Sequence, residues 1–134
     1  MSRFIPPDHS LGDERTIGGY AAVHARPAAL EGSDGMSYSV EIMTDRTDVA
    51  AGAYGAFFMF LQWTRLGEQG VAGHLESECL AWGTDRDAAK RALGAWTIDR
   101  VQALLEEIIE ARRASEIEAR RASEMDAKRR EDAE

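Results

Sequence analysis

A single cysteine, Cys79, stands in the 134 residues, so no disulfide can form within the chain. Such a composition fits a reducing compartment. Glu76 and Glu78 lie close to Cys79, and no Lys, Arg or His lies within two residues of it. Neighbouring carboxylates suppress a thiolate, so Cys79 reads as a buried structural thiol. Long apolar runs are missing as well. The longest, Ala50 to Leu61, spans 12 residues and is interrupted by glycines, too short to span a bilayer. MSRFIPPDHS has no apolar stretch of leader length, so the expectation is a cytoplasmic chain with no membrane partner. Lysine is nearly absent, two residues against fourteen arginines, and alanine is abundant; this is the residue usage of a GC-rich bacterial genome.

Basic residues are the minority, 16 against 24 acidic ones, for a net charge of −8. The stretch from Glu110 onward holds 8 acidic and 7 basic residues, which leaves 16 and 9, a net of −7, for the rest. That field repels phosphate and excludes nucleic acid as a direct partner of the body. It favours a basic protein surface or a cation. Signature motifs of chemistry are also lacking. There is no Gly-Lys-Ser/Thr phosphate loop and no Gly-x-Ser-x-Gly elbow, and neither Gly18-Gly19 nor the Gly-Ser-Asp-Gly run at 32–35 sits between a strand and a helix. No catalytic constellation, cofactor or metal is expected.

What is present begins at the C-terminus. IEARRASE occurs at 109–116 and again at 117–124, and MDAKRRED follows from Met125. Opposite charges recur three or four residues apart, as in Arg112 with Glu116, Glu116 with Arg120, Arg120 with Glu124, Glu124 with Lys128 and Asp126 with Arg130. Each such pair adds about 0.2–0.5 kcal/mol to a helix. Eight residues at ~100° each rotate the face by roughly 80° per copy, so Ile109, Ile117 and Met125 fan around the axis and cannot form a coiled-coil seam. The expectation is a solvated charged helix over 110–134.

Residues 1–16 read as an irregular segment, with Pro6-Pro7 blocking regular structure and Phe4 and Ile5 placed to pin it to the core. One domain over 17–109 follows. Alternation predicts strands at Tyr20–Arg26, Ser37–Thr44, Tyr54–Thr64 and Val71–Trp82. In the fourth, Val71, Leu75 and Cys79 face inward, and a bulge or exit is expected near Leu80 and Trp82. The period then changes to 3.6. Thr84 with Asp87 resembles a capping box, with Asp85 an alternative cap, for a short helix to Leu93 with Gly94 as its stop. Thr97 caps a second helix whose stripe is Ile98, Val101, Leu104, Leu105, Ile108 and Ile109. The fold class is α+β: a four-stranded antiparallel meander followed by two helices on one face, the last running on as the charged tail.

Three groups of residues are candidates for binding. The third strand is apolar on both sides, with Phe58 and Phe60 on one and Phe57 and Trp63 on the other, so one aromatic row is left uncovered by helices. Tyr20, His24 and Arg26 form a polar group on the first strand that suits an anion or proton transfer. His74, Glu76 and Glu78 share the outer side of the fourth strand, about 6–7 Å apart from one to the next, too splayed for a metal without a ligand such as His24 from an adjacent strand. The composition favours a non-catalytic protein-binding module of adaptor, chaperone-like or immunity type, dimerising through the open sheet face or an edge strand. The alternative is a small ligand-binding protein or enzyme with a pocket on that open face, using His24, Tyr20, Arg26 or His74.

Overall fold

The structure, a computed structural model, describes residues 6–47, 52–63 and 70–133. A 3-10 turn at His9–Leu11 leads into helix α1 (Ile17–His24). Strands β1 (Ala29–Glu31), β2 (Ser37–Arg46), β3 (Tyr54–Trp63), β4 (Val71–Glu76) and β5 (Ala81–Gly83) follow, then helices α2 (Arg86–Gly94) and α3 (Ile98–Asp132). The sheet is antiparallel in the order β1-β2-β3-β4, and β5 pairs with β3 beyond the end of β4. Phe4, Ile5 and Thr64 lie outside the described residues.

The meander is the expected one, but its first strand is not. Tyr20–Arg26 is largely helical, and β1 is a three-residue strand downstream of it. Thr16 Oγ1 accepts the Gly19 N–H at 3.0 Å and starts α1. Ala25 closes the helix in the left-handed region at φ 53°, a position that suits glycine better. Pro27 follows two residues later. The Gly32–Gly35 run makes the β1–β2 turn, with Gly35 at φ 80° and the Gly32 N–H donating to the Met36 carbonyl at 2.9 Å.

β3 is the central strand. It pairs with β2 over its whole length, from Arg46↔Tyr54 to Ser37↔Trp63. Its other edge is shared, Phe60↔Leu75 with β4 and Ala56↔Ala81 with β5. Between them the chain steps out at Ser77–Leu80, so the expected exit comes earlier than Leu80. Ser77 Oγ accepts the Phe58 N–H at 2.9 Å. The Ser77 and Leu80 N–H groups donate to the carbonyls of Phe58 and Ala56 at 3.0 and 2.9 Å. The backbone of β3 thereby stays satisfied across the gap. Two inward assignments on this edge change. Val71, at the strand's start, is 48% exposed, and Cys79 is half-buried in the step, its sulfur 2.7 Å from where a Cβ on Gly55 would stand.

All three helices lie on one face. The inner row of β3, Ala56, Phe58 and Phe60, is fully buried together with Ala89 and Leu93 of α2 and Val101 and Leu105 of α3. Each large apolar side chain buried this way contributes about 1.5–3 kcal/mol. Phe58 meets Trp96 edge-on at 5.7 Å between centroids. Asp85, not Thr84, caps α2, accepting the Ala88 N–H at 2.7 Å. Thr97 caps α3, accepting the Arg100 N–H at 3.2 Å. The caps of α1 and α3 are also joined to each other. Thr16 and Thr97 form a β-bridge, in which the Ile17 N–H donates to the Trp96 carbonyl at 3.0 Å and the Ile98 N–H to the Arg15 carbonyl at 2.7 Å.

α3 crosses the inner face and departs past the β1–β2 turn. Its last buried residue is Ile109, and every described residue from 110 on is exposed. At 1.5 Å per residue the projecting part is about 35 Å long. Of the ion pairs expected along it, only Arg112 Nε to Glu116 Oε1 closes, at 3.4 Å. Long exposed side chains gain little from direct pairing in water. Where α3 leaves the body, Tyr38 is 1% exposed. It donates its hydroxyl to Asp34 Oδ2 at 2.5 Å and accepts from Gln62 Nε2 at 3.1 Å. Burial, then the hydrogen bond to Asp34, pushes the Tyr38 phenol from its ordinary 10.0 up to about 12.

Two outcomes follow. Deleting residues 115–134 removes 18 of the 52 residues in α1, α2 and α3, so the helical circular dichroism should fall by about a third while the thermal midpoint moves by no more than ~2 °C. Collapse of the truncated chain would place the tail in the core. A raised phenol stabilises the fold below its unfolded pKa, and that contribution is lost as pH rises from 10 toward 12. Urea unfolding across this window should show a decline in stability that is smaller in Tyr38→Phe.

Candidate functional site

The face of the sheet turned away from the helices carries the first candidate. Strand alternation puts Phe57, Met59, Leu61 and Trp63 of β3 there, flanked on β2 by their register partners Met43, Glu41, Ser39 and Ser37 and on β4 by Glu76 and His74. Phe57, Met59 and Leu61 are part-exposed and lie outside the core cluster. Trp63 and Met43 are each 40% exposed. Trp63 is held in place by its indole N–H, which donates to Ser39 Oγ at 2.9 Å. The central row is without charge. Phe58 and Phe60 point the other way and are core residues with 0% exposure, so of the four aromatics only Phe57 and Trp63 are available for contact. Met43, Met59 and Leu61 complete the row, and the period-2 pattern of β2 and β3 already places them on it.

His74 and Glu76 do share the outer side of β4, and His74 Nε2 lies 3.3 Å from Glu76 Oε1. Glu78 is removed from them because β4 ends at Glu76. It borders a recess beside Leu104 and Ile108 of α3, which Glu76 lines as well and His74 does not. His24 is not a neighbour of this group, since its segment is a helix and β1 and β4 are opposite ends of the strand order. Among the described residues no three His, Cys, Asp or Glu side chains converge as metal ligands.

Tyr20, His24 and Arg26 are together, but through helical spacing. The Tyr20 and His24 rings, four residues apart on α1, lie 4.3 Å between centroids, and the Arg26 guanidinium sits 5.9 Å from the Tyr20 ring centroid. Two partners join them that no sequence pattern signals. Glu14 receives His24 Nε2 on Oε1 at 2.8 Å and His9 Nδ1 on Oε2 at 2.9 Å. Partial burial raises the Glu14 carboxyl, and the hydrogen bonds from His9 and His24 outweigh it, leaving it below the ordinary carboxylate range. The bridge ties the 3-10 turn to α1, a tie shared by the Asp8 N–H, which donates to the Val23 carbonyl at 3.3 Å. It orients imidazoles, and none of Glu14, His9 and His24 lines the hollow on the helical side of the sheet. That hollow is a groove of about 810 Å³ between α1 and α2; of Tyr20, His24 and Arg26 only Arg26 reaches it, and Glu41 of β2 borders it too.

A lowered carboxyl stabilises the fold above its ordinary pKa, and that contribution is lost as pH falls through the lowered one. Glu14→Gln should therefore reproduce at neutral pH what acid does to the native chain. Amide hydrogen exchange at Asp8 and Leu11 should quicken while the thermal midpoint stays nearly constant. Unchanged exchange at both amides would mean that the segment is held without the bridge.

No protein-family model matches the chain, and neither a curated protein nor a solved structure shows significant similarity to it.

Proposed function

We propose that the chain is a non-catalytic protein-binding module of adaptor, chaperone-like or immunity type, whose interface is the uncovered face of the sheet and whose first occupant is a second copy of itself. The observation that carries this reading is the uncharged row Phe57, Met59, Leu61 and Trp63 with Met43 beside it, part-exposed to exposed on a face to which no helix is docked among the described residues. Exposed apolar surface of this continuity on a small protein marks an interface. A two-fold axis parallel to the sheet, lying in the plane between the two copies, stacks one β3 row on the other and leaves Glu41, Glu76 and His74 at the rim, the arrangement of an isologous contact. Ten residues of three strands cover roughly 33 Å by 15 Å, on the order of 500 Å², which is less than the ~800 Å² per partner of a standard interface. The expected dimer is accordingly weak and concentration-dependent.

Sedimentation equilibrium over a range from low to high micromolar tests the reading, with two glutamates as probes of the two faces. Phe57→Glu should give a folded chain that stays monomeric at every concentration. Phe58→Glu buries an unpaired charge, costing several kcal/mol, and should unfold the protein. A native chain that remains monomeric throughout, or a Phe57→Glu chain that still dimerises, rules out the sheet face as a self-association surface.

A further inference from the structure

We propose that the groove between α1 and α2 is a binding site for a small amphiphilic monocarboxylate, an aliphatic or aromatic body ending in one carboxylate. Its volume of about 810 Å³ lies within the 300–1,000 Å³ of small-molecule sites. Its floor and far wall are apolar, with Val40 and Ile42 of β2 below and Ile17 and Ala21 of α1 opposite α2. The α2 wall presents Asp87, Lys90, Arg91 and Gly94, the i, i+3, i+4, i+7 spacing of a single helix face. Arg26 closes the end beyond α1. Three cations thus border one hollow in a chain whose net charge is −8, and among the described residues none of the three is in an ion pair. A free guanidinium or ammonium beside an apolar floor recognises a carboxylate head on an apolar body.

The charge of the ligand is bounded from the other side. Asp13, Glu41 and Asp87 border the same groove. The Arg15 guanidinium, at 3.0 Å, neutralises Asp13, but Glu41 and Asp87 have no such partner among the described residues. On the α2 wall Asp87 offsets one of the two cations, so that wall presents a single net positive charge, matched by one carboxylate and exceeded by a dianionic phosphate. The glycines serve its shape. A Cβ on Gly18 would come within 3.1 Å of the Gly94 carbonyl, so α1 and α2 touch backbone to backbone at one end and diverge from there.

Dansyl-undecanoic acid and its methyl ester are the probes, titrated into the full chain by fluorescence. The acid should bind saturably with one site per chain and the ester at least tenfold more weakly. In Lys90→Gln/Arg91→Gln, whose positions are both exposed and whose fold far-ultraviolet circular dichroism verifies, affinity for the acid should fall at least tenfold. Ala21→Leu, which enlarges a side chain lining the groove, should also weaken it. Absence of saturable binding, equal affinity for acid and ester, or native affinity in the double glutamine variant overturns the proposal. The last result would move the probe to the sheet face, which carries neither lysine nor arginine in its central row.

Discussion

β3 must keep ten residues paired along both edges while the helices cover only one of its two faces. Every other part of the protein answers to that constraint. β2 satisfies one edge without a break. The other edge needs two short strands and a serine hydroxyl between them, because the chain steps outward at Ser77–Leu80. The helices then take the inner row, and the outer row is left to whatever the molecule meets. A strand of ordinary alternation would have ended in water on that side. This one ends in Phe57, Met59, Leu61 and Trp63.

The second organising feature is the bridge between Thr16 and Thr97. Each threonine caps a helix with its side chain and joins the other through the neighbouring backbone, so α1 and α3 start from one point. The junction also brings Gly18 against Gly94. One short stretch of contact therefore sets where the long helix begins, where α1 lies and how wide the groove opens. Backbone hydrogen bonds, two hydroxyl caps and the close approach of Gly18 to Gly94 make that junction, and Ile17 and Trp96 beside it anchor it to the core.

These features explain which parts of the fold were legible from the sequence. β2, β3 and α3 carry long uninterrupted periods, and Thr97, Asp85 and the Gly32–Gly35 turn mark their boundaries, so the class and the end of the core at Ile109 could be read directly. The α1 segment could not. Its Tyr-Ala-Ala-Val-His-Ala-Arg run alternates as a strand does, two glycines stand in its first turn against helix propensity, and the signals that decide for helix, the Thr16 hydroxyl and Ala25 in a left-handed conformation, take effect only once the Thr97 bridge exists. β1, at three residues, is too short for any period. The sites divide similarly. The double-sided apolar strand was visible, but which of its two rows the helices leave uncovered was not, because both rows carry aromatics. The groove was not, because one wall belongs to the misread helix and its cations, Arg26 and Lys90 with Arg91, are distant in the chain.

The charged end of α3 bears on how the protein's size is measured. A body of about 109 residues has a radius of gyration near 13 Å, and a rod more than twice that length stands out from it. Drag on such a shape is set by its long dimension, so the chain diffuses and elutes as a larger particle than its 14.8 kDa. Friction and mass therefore part company. A retention volume read as a globular equivalent overstates the mass of such a chain, and only a method that weighs the particle separates shape from association.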